Sequence, residues 1–267
     1  MHHQIDSLAY TNKLRSLPPK QKLGFAIALF LLGYLAPPLI QILIALWLTF
    51  WVIVYAGIPV QVYGKLIAIP VSFWMMSLPA LVMGLSWGAT LETATSDVLW
   101  GFSLGQMYLY LSAQGLEQAR TIFLRAIALT SCLYFILFTV PFVEIIRVLK
   151  ELRCPPLITE LLMLMYRFIF VLTDTVMEIL TAQQSRLGYG NWRAGMRSLS
   201  LLIGQLLSRT LENYRQISLG LMSRGFNGEF RVLHNCRHRT HWRYAGEAIA
   251  GYVVLLILTG VHYVDGV

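Results

Sequence analysis

Long apolar runs constrain the fold of this 267-residue sequence more than any other feature. A membrane-spanning helix needs about 20 mostly apolar residues. Five runs approach or reach that length: Leu23 to Ala36, Leu39 to Ala56, Leu66 to Trp87, Thr121 to Val140 and Ala245 to Val261. Hydrophobic residues make up 57% of the chain and charged residues 13%, unlike an ordinary soluble domain. We therefore predict an all-α integral membrane protein with about five transmembrane helices.

Prolines indicate how these runs are connected. The first run is short for a span and stops at the pair Pro37-Pro38, so we predict a hairpin of two spans with this pair at the outer turn. Pro70 and Pro79 lie inside the third run, where proline bends a helix and frees backbone carbonyls. The third span is therefore predicted to be bent and packed inside a bundle.

The distribution of basic residues predicts the topology. Lys and Arg residues precede the first span, and most others fall between Arg147 and Arg243. Basic residues beside spans tend to stay in the cytoplasm, so we place both regions and the N-terminus on the cytoplasmic side of the inner (plasma) membrane. The net charge of +8 then favours contact with lipid head groups or acidic partner surfaces, and not with nucleic acid.

Two parts of the chain differ from the spans. The segment from Gly88 to Gly115 carries polar residues and the aromatic stretch Met107 to Tyr110, and we place it on the outer surface. From Pro141 to Phe226, ionisable residues interrupt long apolar segments and would be costly inside a span. We predict three parts: residues 1–140 with four spans, a cytoplasmic membrane-apposed domain of long amphipathic helices at 141–228, and a basic loop with the last span at 229–267.

Two similar short motifs close the long helices of the middle part. Ser185-Arg186-Leu187 is followed by Gly188, and Ser223-Arg224-Gly225 follows 38 positions later. One such triplet is typical of a helix C-terminus, where arginine complements the helix dipole and glycine adopts the left-handed cap. Two of them on one side of a membrane indicate a repeated docking device. Its two ends would lie about 45 Å apart along one helix.

Metal binding and catalysis find little support. His234, Cys236, His238 and His241 are possible ligands, but the arginines between them would repel a cation, and a basic loop before the last span explains the composition equally well. We predict no metal site and no cofactor, and neither a disulfide framework nor a removable signal peptide is expected. The ATP-binding Gly-rich loop, the His-Glu-x-x-His motif and the Gly-x-Ser-x-Gly motif do not occur, so no catalytic residue is proposed.

Several short motifs, taken in their order along the chain, resemble those of a known family. They are Gly115-Leu116 with Arg125-Ala126, Thr139-Val140-Pro141, Leu149-Lys150-Glu151-Leu152, Tyr166-Arg167-Phe168-Ile169-Phe170-Val171-Leu172, and the two arginine motifs. Together they resemble the transmembrane T components of energy-coupling-factor (ECF) ABC transporters, and are most similar to the CbiQ group of cobalt importers. The resemblance extends over most of the chain.

The resemblance implies a non-catalytic scaffold that joins two ABC-type ATPase subunits to a substrate-capture membrane subunit. That subunit would be CbiM-like, with or without a small CbiN-like accessory, and the transported ion would be cobalt or nickel. Six residues would couple the ATPases: Ser185, Arg186, Leu187, Ser223, Arg224 and Gly225. The first motif departs from the family's Ala-Arg-Gly pattern, which leaves its cap geometry open. The alternatives are a T component for a vitamin or another substrate, a self-sufficient carrier, and a membrane enzyme.

Overall fold

The computed structural model describes residues 8–87, 98–104, 107–225 and 242–264. Its longer helices are α1 (Pro19–Leu35), α2 (Pro38–Phe50), α3 (Val60–Val82), α4 (Ala113–Thr139), α5 (Phe142–Glu151), α6 (Pro156–Ser185), α7 (Trp192–Ser223) and α8 (Trp242–Val264). Strands β1 (Met83–Trp87), β2 (Val98–Leu104) and β3 (Met107–Ser112) lie between α3 and α4. The chain divides into two compact units, Met1–Pro141 with Cys236–Val267, and Phe142–Asn235.

Proline sets the helix boundaries at the start of the first unit. Pro19 and Pro38 occupy first-turn positions of α1 and α2, where the missing N–H leaves no helical hydrogen bond unmade. The extended backbone at Ala36 and Pro37 separates the two helices, which confirms the predicted break. Helix α2 continues into a π-helical turn, Trp51–Tyr55, so that the apolar segment reaches the predicted end of the second run.

Helix α4 is the central helix of the first unit and packs against α1, α2 and α3. Phe135 and Phe138 of α4 are almost completely buried, together with Leu29 of α1 and Ile44 of α2. The α1 backbone comes close at Gly33, where an added Cβ would touch Ile44 and the neighbouring α4 side chains at ordinary van der Waals distances. The predicted helical bundle is thus organised around the fourth predicted span.

The N-terminal segment is hydrogen-bonded to the end of α4. The buried Asn12 side chain donates hydrogen bonds from Nδ2 to the carbonyl oxygens of Ala9 and Phe138, both at 2.8 Å. Lys22 is also buried, and its Nζ donates to the carbonyl oxygen of Thr139 at 2.9 Å. The last carbonyls of a helix have no partner within it, so these two side chains supply partners that α4 itself lacks.

Helix α8 closes the first unit by packing on α1 and α2. Gly251 lies directly against the ring of Trp47, with no room for a Cβ. Nearer the start of α8, Tyr55 donates a hydrogen bond to Glu247 at 3.0 Å, and the rings of Tyr55 and Tyr244 meet edge to face. Small residues let membrane helices approach closely, and Gly251 serves this purpose here.

A three-stranded antiparallel sheet lies between α3 and α4, and it is a local element of this otherwise helical fold that the sequence does not predict. Its order is β1-β3-β2, with Met83 opposite Leu111 and Trp87 opposite Met107. The predicted third span, Leu66 to Trp87, is wrong at both ends, because the helix begins at Val60 and ends at Val82. The apolar run simply continues from the helix into β1, and hydrophobicity alone does not distinguish the two structures.

Five described helical segments are long and apolar enough to cross a membrane: Pro38–Tyr55, Val60–Val82, Ala113–Thr139, Pro156–Ser185 and Trp242–His262. This confirms a multi-pass helical membrane protein. Four of the segments overlap predicted spans. The predicted first span lies in the 17-residue α1, which is about 26 Å long and therefore short for a bilayer. The remaining segment, Pro156–Ser185, is α6, which the sequence predicts to lie at the cytoplasmic face.

The second unit contains α5, α6 and α7. Helix α5 joins α6 through stacked rings of Phe142 and Tyr166, whose centroids are 5.0 Å apart. Thr159 and Ile179 are the only residues of α6 that are buried, and Leu202 is the only one of α7. Both long helices therefore leave most of their apolar side chains exposed or half-buried.

Candidate functional site

The first arginine turn, residues 185–188, ends α6 with a defined hydrogen-bonded cap. Arg186 is the C-cap residue, and Leu187 follows with a left-handed backbone at φ 56°. The amide of Gly188 donates to the carbonyl of Gln183 at 2.9 Å, and the amide of Leu187 donates to that of Gln184 at 3.0 Å. This pair of bonds defines a Schellman motif. The cap geometry that the sequence left open is therefore the ordinary one, with leucine in the place usually taken by glycine.

The second arginine turn, residues 223–225, repeats this backbone at the end of α7. Arg224 is the C-cap with φ −95° and ψ 9°, close to the −98° and 16° of Arg186. Gly225 takes the left-handed position at φ 68°, and its amide donates to the carbonyl of Met222 at 3.1 Å. The two arginines thus leave their helices with the same local geometry. The left-handed position costs a non-glycine residue about 1–2 kcal/mol, and only the first turn carries that cost.

The serines that precede the arginines also behave alike. The hydroxyl of Ser185 donates to the carbonyl of Thr181 at 2.9 Å, and that of Ser223 donates to the carbonyl of Gly220 at 3.0 Å. Each hydroxyl is satisfied within its own helix, so serine acts as a small side chain here. Serine is therefore compatible with the position at which the pattern implied by the resemblance has alanine.

Two side-chain hydrogen bonds hold the first arginine turn against Ser198 of α7, and a third joins Gln183 to Tyr189. Gln183 donates to the carbonyl of Ser198 at 2.9 Å and accepts from the hydroxyl of Tyr189 at 2.8 Å. Ser198 in turn donates to the carbonyl of Gly188 at 2.8 Å. A Cβ on Gly188 would lie 2.7 Å from the Ser198 oxygen. Gly188 is therefore required by this close approach, and the left-handed conformation belongs to Leu187.

Both motif arginines are exposed. Among the described residues, neither Arg186 nor Arg224 forms a hydrogen bond or ion pair through its side chain. They flank the 32 residues of α7, which is about 48 Å long. An arginine presents five donors in a rigid planar fork suited to carboxylates and carbonyls. The arrangement can thus engage acceptor groups at two widely separated points.

A groove between α6 and α7 lies beside the first arginine turn. Its volume is about 340 Å³, and its lining includes Gln183, Arg186 and Ser198. Glu178 and Arg209 also line it, and they form an exposed ion pair across the two helices at 3.2 Å. An exposed pair of this kind adds little stability, so the hydrogen-bonded turn fixes the local geometry.

The possible metal ligands His234, Cys236, His238 and His241 lie outside the described residues. Within the described part of the chain, no group of three histidine, cysteine or acidic residues is placed to hold a metal ion. Cys132 and Cys154 are free thiols. The described residues therefore give no geometric support to a resident metal site.

The sequence predicts both arginine turns but not the residues that hold the first one. Gln183, Tyr189 and Ser198 are polar residues of common types, and no spacing rule links them before the α6–α7 connection is folded. The one signal in the sequence is Gly188, which stands one position later than the glycine of the pattern implied by the resemblance. A glycine without a left-handed backbone often marks a close approach of other groups.

Known proteins resemble this chain over most of its length. Residues 10–234 match the model of the CbiQ family, described as cobalt transport protein. The chain is 28% identical to the cobalt transport protein CbiQ of Salmonella typhimurium over 231 residues, which is 85% of this chain and 99% of the relative. An uncharacterized protein of Methanocaldococcus jannaschii is 30% identical over 233 residues, 87% of this chain and 84% of the relative.

A third relative is a fused protein. The fused cobalt transport protein CbiMQ of Methanocorpusculum labreanum is 30% identical over 227 residues, which cover 85% of this chain and 37% of the relative. The family match over residues 10–234, the similarity to these relatives and the helical membrane fold point to one assignment. The chain belongs to the CbiQ family of cobalt transport proteins.

Proposed function

We propose that this chain is the transmembrane coupling scaffold of an ECF-type ABC importer for cobalt. In this proposal two ABC-type ATPases dock on the arginine turns from the cytoplasm, and a membrane subunit captures the ion. The chain transmits closure of the ATPases to that subunit and has no active site of its own. Membership of the CbiQ family supports a role as a component of a transport system in place of a catalytic enzyme.

The matched arginine turns are the observation that carries the proposal. Arg186 and Arg224 share their backbone conformation, are exposed, and lack side-chain partners among the described residues. A guanidinium group that is held at a helix end and has no partner among the described residues favours binding to a hydrogen-bond acceptor on another protein. Two such groups separated by the length of α7 suit two ATPase subunits better than one.

The pattern of α6 supports a position at the membrane surface. Glu160, Arg167 and Asp174 recur every seven residues, which places them on one helical face. Leu161 and Ile169 lie on another face and are 51% and 58% exposed. An interfacial helix combines a charged face with an apolar face buried in the lipid boundary or in a partner. An interfacial α6 would place both arginine turns on the cytoplasmic side of the membrane. This helix is nevertheless long enough to span the membrane.

The identity of the partners rests on the relatives. The fused CbiMQ relative supports a CbiM-like capture subunit, since fused proteins commonly unite chains that work together. The names of the relatives support cobalt as the transported ion. Basic residues before α1 support the cytoplasmic N-terminus, and the exposed apolar surface of α6 and α7 provides area for partners and lipid.

Charge reversal tests the proposal. Arg186→Glu and Arg224→Glu, singly and together, should reduce co-purification of the co-expressed importer ATPases and abolish cobalt uptake in the double variant. Arg193→Glu is the matched control, because this exposed arginine lies on α7 outside both turns. Unchanged ATPase recovery and uptake in the double variant would refute the proposal. Equal loss in the control would assign the effect to net charge.

A further inference from the structure

Leu187 combines two properties that rarely occur together. Its backbone is left-handed at φ 56°, a conformation that a branched, bulky side chain adopts at a cost. Its side chain is 83% exposed and therefore recovers little by burial within this chain. Strained residues persist where the surrounding structure holds them, and they cluster at sites of function.

The surrounding hydrogen bonds hold this conformation firmly. Gly188 is tied to Gln183 through its amide and to Ser198 through its carbonyl. The residue on one side of Leu187 is therefore fixed to both α6 and α7. On the other side Arg186 caps α6. The turn consequently presents Leu187 and Arg186 as adjacent, preorganised groups, which lowers the entropy lost when a partner binds them.

The second arginine turn lacks this side chain. Gly225 occupies the corresponding left-handed position, where it avoids the steric cost and offers no apolar group. The chain could form the same backbone at the first turn with glycine. Leucine there therefore costs the isolated protein about 1–2 kcal/mol that glycine would avoid, and an apolar contact outside this chain would offset that cost.

We propose that Leu187 is a second docking contact of the first arginine turn, which inserts into an apolar pocket of the ATPase beside the acceptors for Arg186. The inference rests on the proposed function, because it takes the ATPase as the partner at this turn. It adds that the two docking sites are chemically unequal. At the left-handed position the first site offers an apolar side chain, whereas the second has glycine there.

The test separates stability from binding. In a full-length Arg224→Ala background, where only the first turn can dock, Leu187→Gly removes both the strain and the apolar group. The apparent unfolding temperature in detergent should rise by about 2–4 °C. The affinity for the nucleotide-free, purified importer ATPase should fall about tenfold, because most of a leucine side chain is no longer buried on binding. Leu187→Met keeps an apolar side chain and should retain the affinity.

Opposite changes in stability and affinity would support the inference, because a purely structural role would change both in the same direction. An affinity that stays the same or rises in Leu187→Gly would overturn it, as would a fall in both quantities. Arg186→Ala in the same background tests the underlying docking site separately. If that variant also binds normally, the proposed function fails at this turn. If only Leu187→Gly binds normally, the apolar contact alone is refuted.

Discussion

Gly251→Ala should weaken the packing of the last helix on α2. A Cβ at this position would overlap the six-membered ring of Trp47. Non-bonded carbons settle at about 3.5–4.0 Å, so α8 or the indole must move by more than about 1 Å. Overpacking of this kind costs about 1–3 kcal/mol. For a protein of this size the unfolding temperature should fall by about 2–12 °C.

Thermal unfolding of the purified protein, followed by tryptophan fluorescence in detergent, measures this change. Gly260→Ala and Gly246→Ala are matched controls in the same helix, since a Cβ at either position meets open space. Both controls should unfold at or above the wild-type temperature. The double variant Trp47→Leu with Gly251→Ala should recover part of the loss relative to the sum of the single changes. The reasoning is refuted if Gly251→Ala unfolds at the same temperature as the controls.

Three further changes test the other close contacts. Asn12→Ala should destabilise the first unit by about 1–3 kcal/mol, because the Phe138 carbonyl loses its donor; an unchanged unfolding temperature would contradict this. Lys22→Met should cost about 1.5–3 kcal/mol through loss of the charged hydrogen bond to Thr139, whereas Lys22→Arg should cost less by the same assay. Gly188→Ala should accelerate amide hydrogen exchange across residues 183–190, and unaltered exchange there would show that the turn tolerates a Cβ.

The helical part of the fold follows closely from the sequence. Apolar runs and prolines locate α2, α4 and α8, since the bilayer requires helices that satisfy their own backbone groups. The sheet was not predicted. The aromatic stretch from Met107 to Tyr110 indicates a preference for the membrane interface, and that preference does not specify backbone pairing. Pairing depends on contacts between segments that are distant along the chain.

The arginine turns are likewise predictable only in part from the sequence. Their positions follow from local cap signals, because arginine, serine and glycine at a helix end have direct local roles. The left-handed Leu187 could not be predicted, since intrinsic preference argues against it. Hydrogen bonds from Gln183 and Ser198 impose this conformation, and they form only once α7 packs against the end of α6. Tertiary contacts therefore override the local preference at this site.

Site-specific photo-cross-linking in intact membranes identifies the protein that lies against each arginine turn. Gln184 and Met222 are exposed and hold the same position before the C-cap in the two turns. A photoreactive residue at either position should cross-link to an importer ATPase, and one at the exposed Met76 on α3 should not. Cross-links to the ATPase from both turns would support two cytoplasmic docking sites on one scaffold. Cross-links to lipid alone, or from one turn only, would contradict the account.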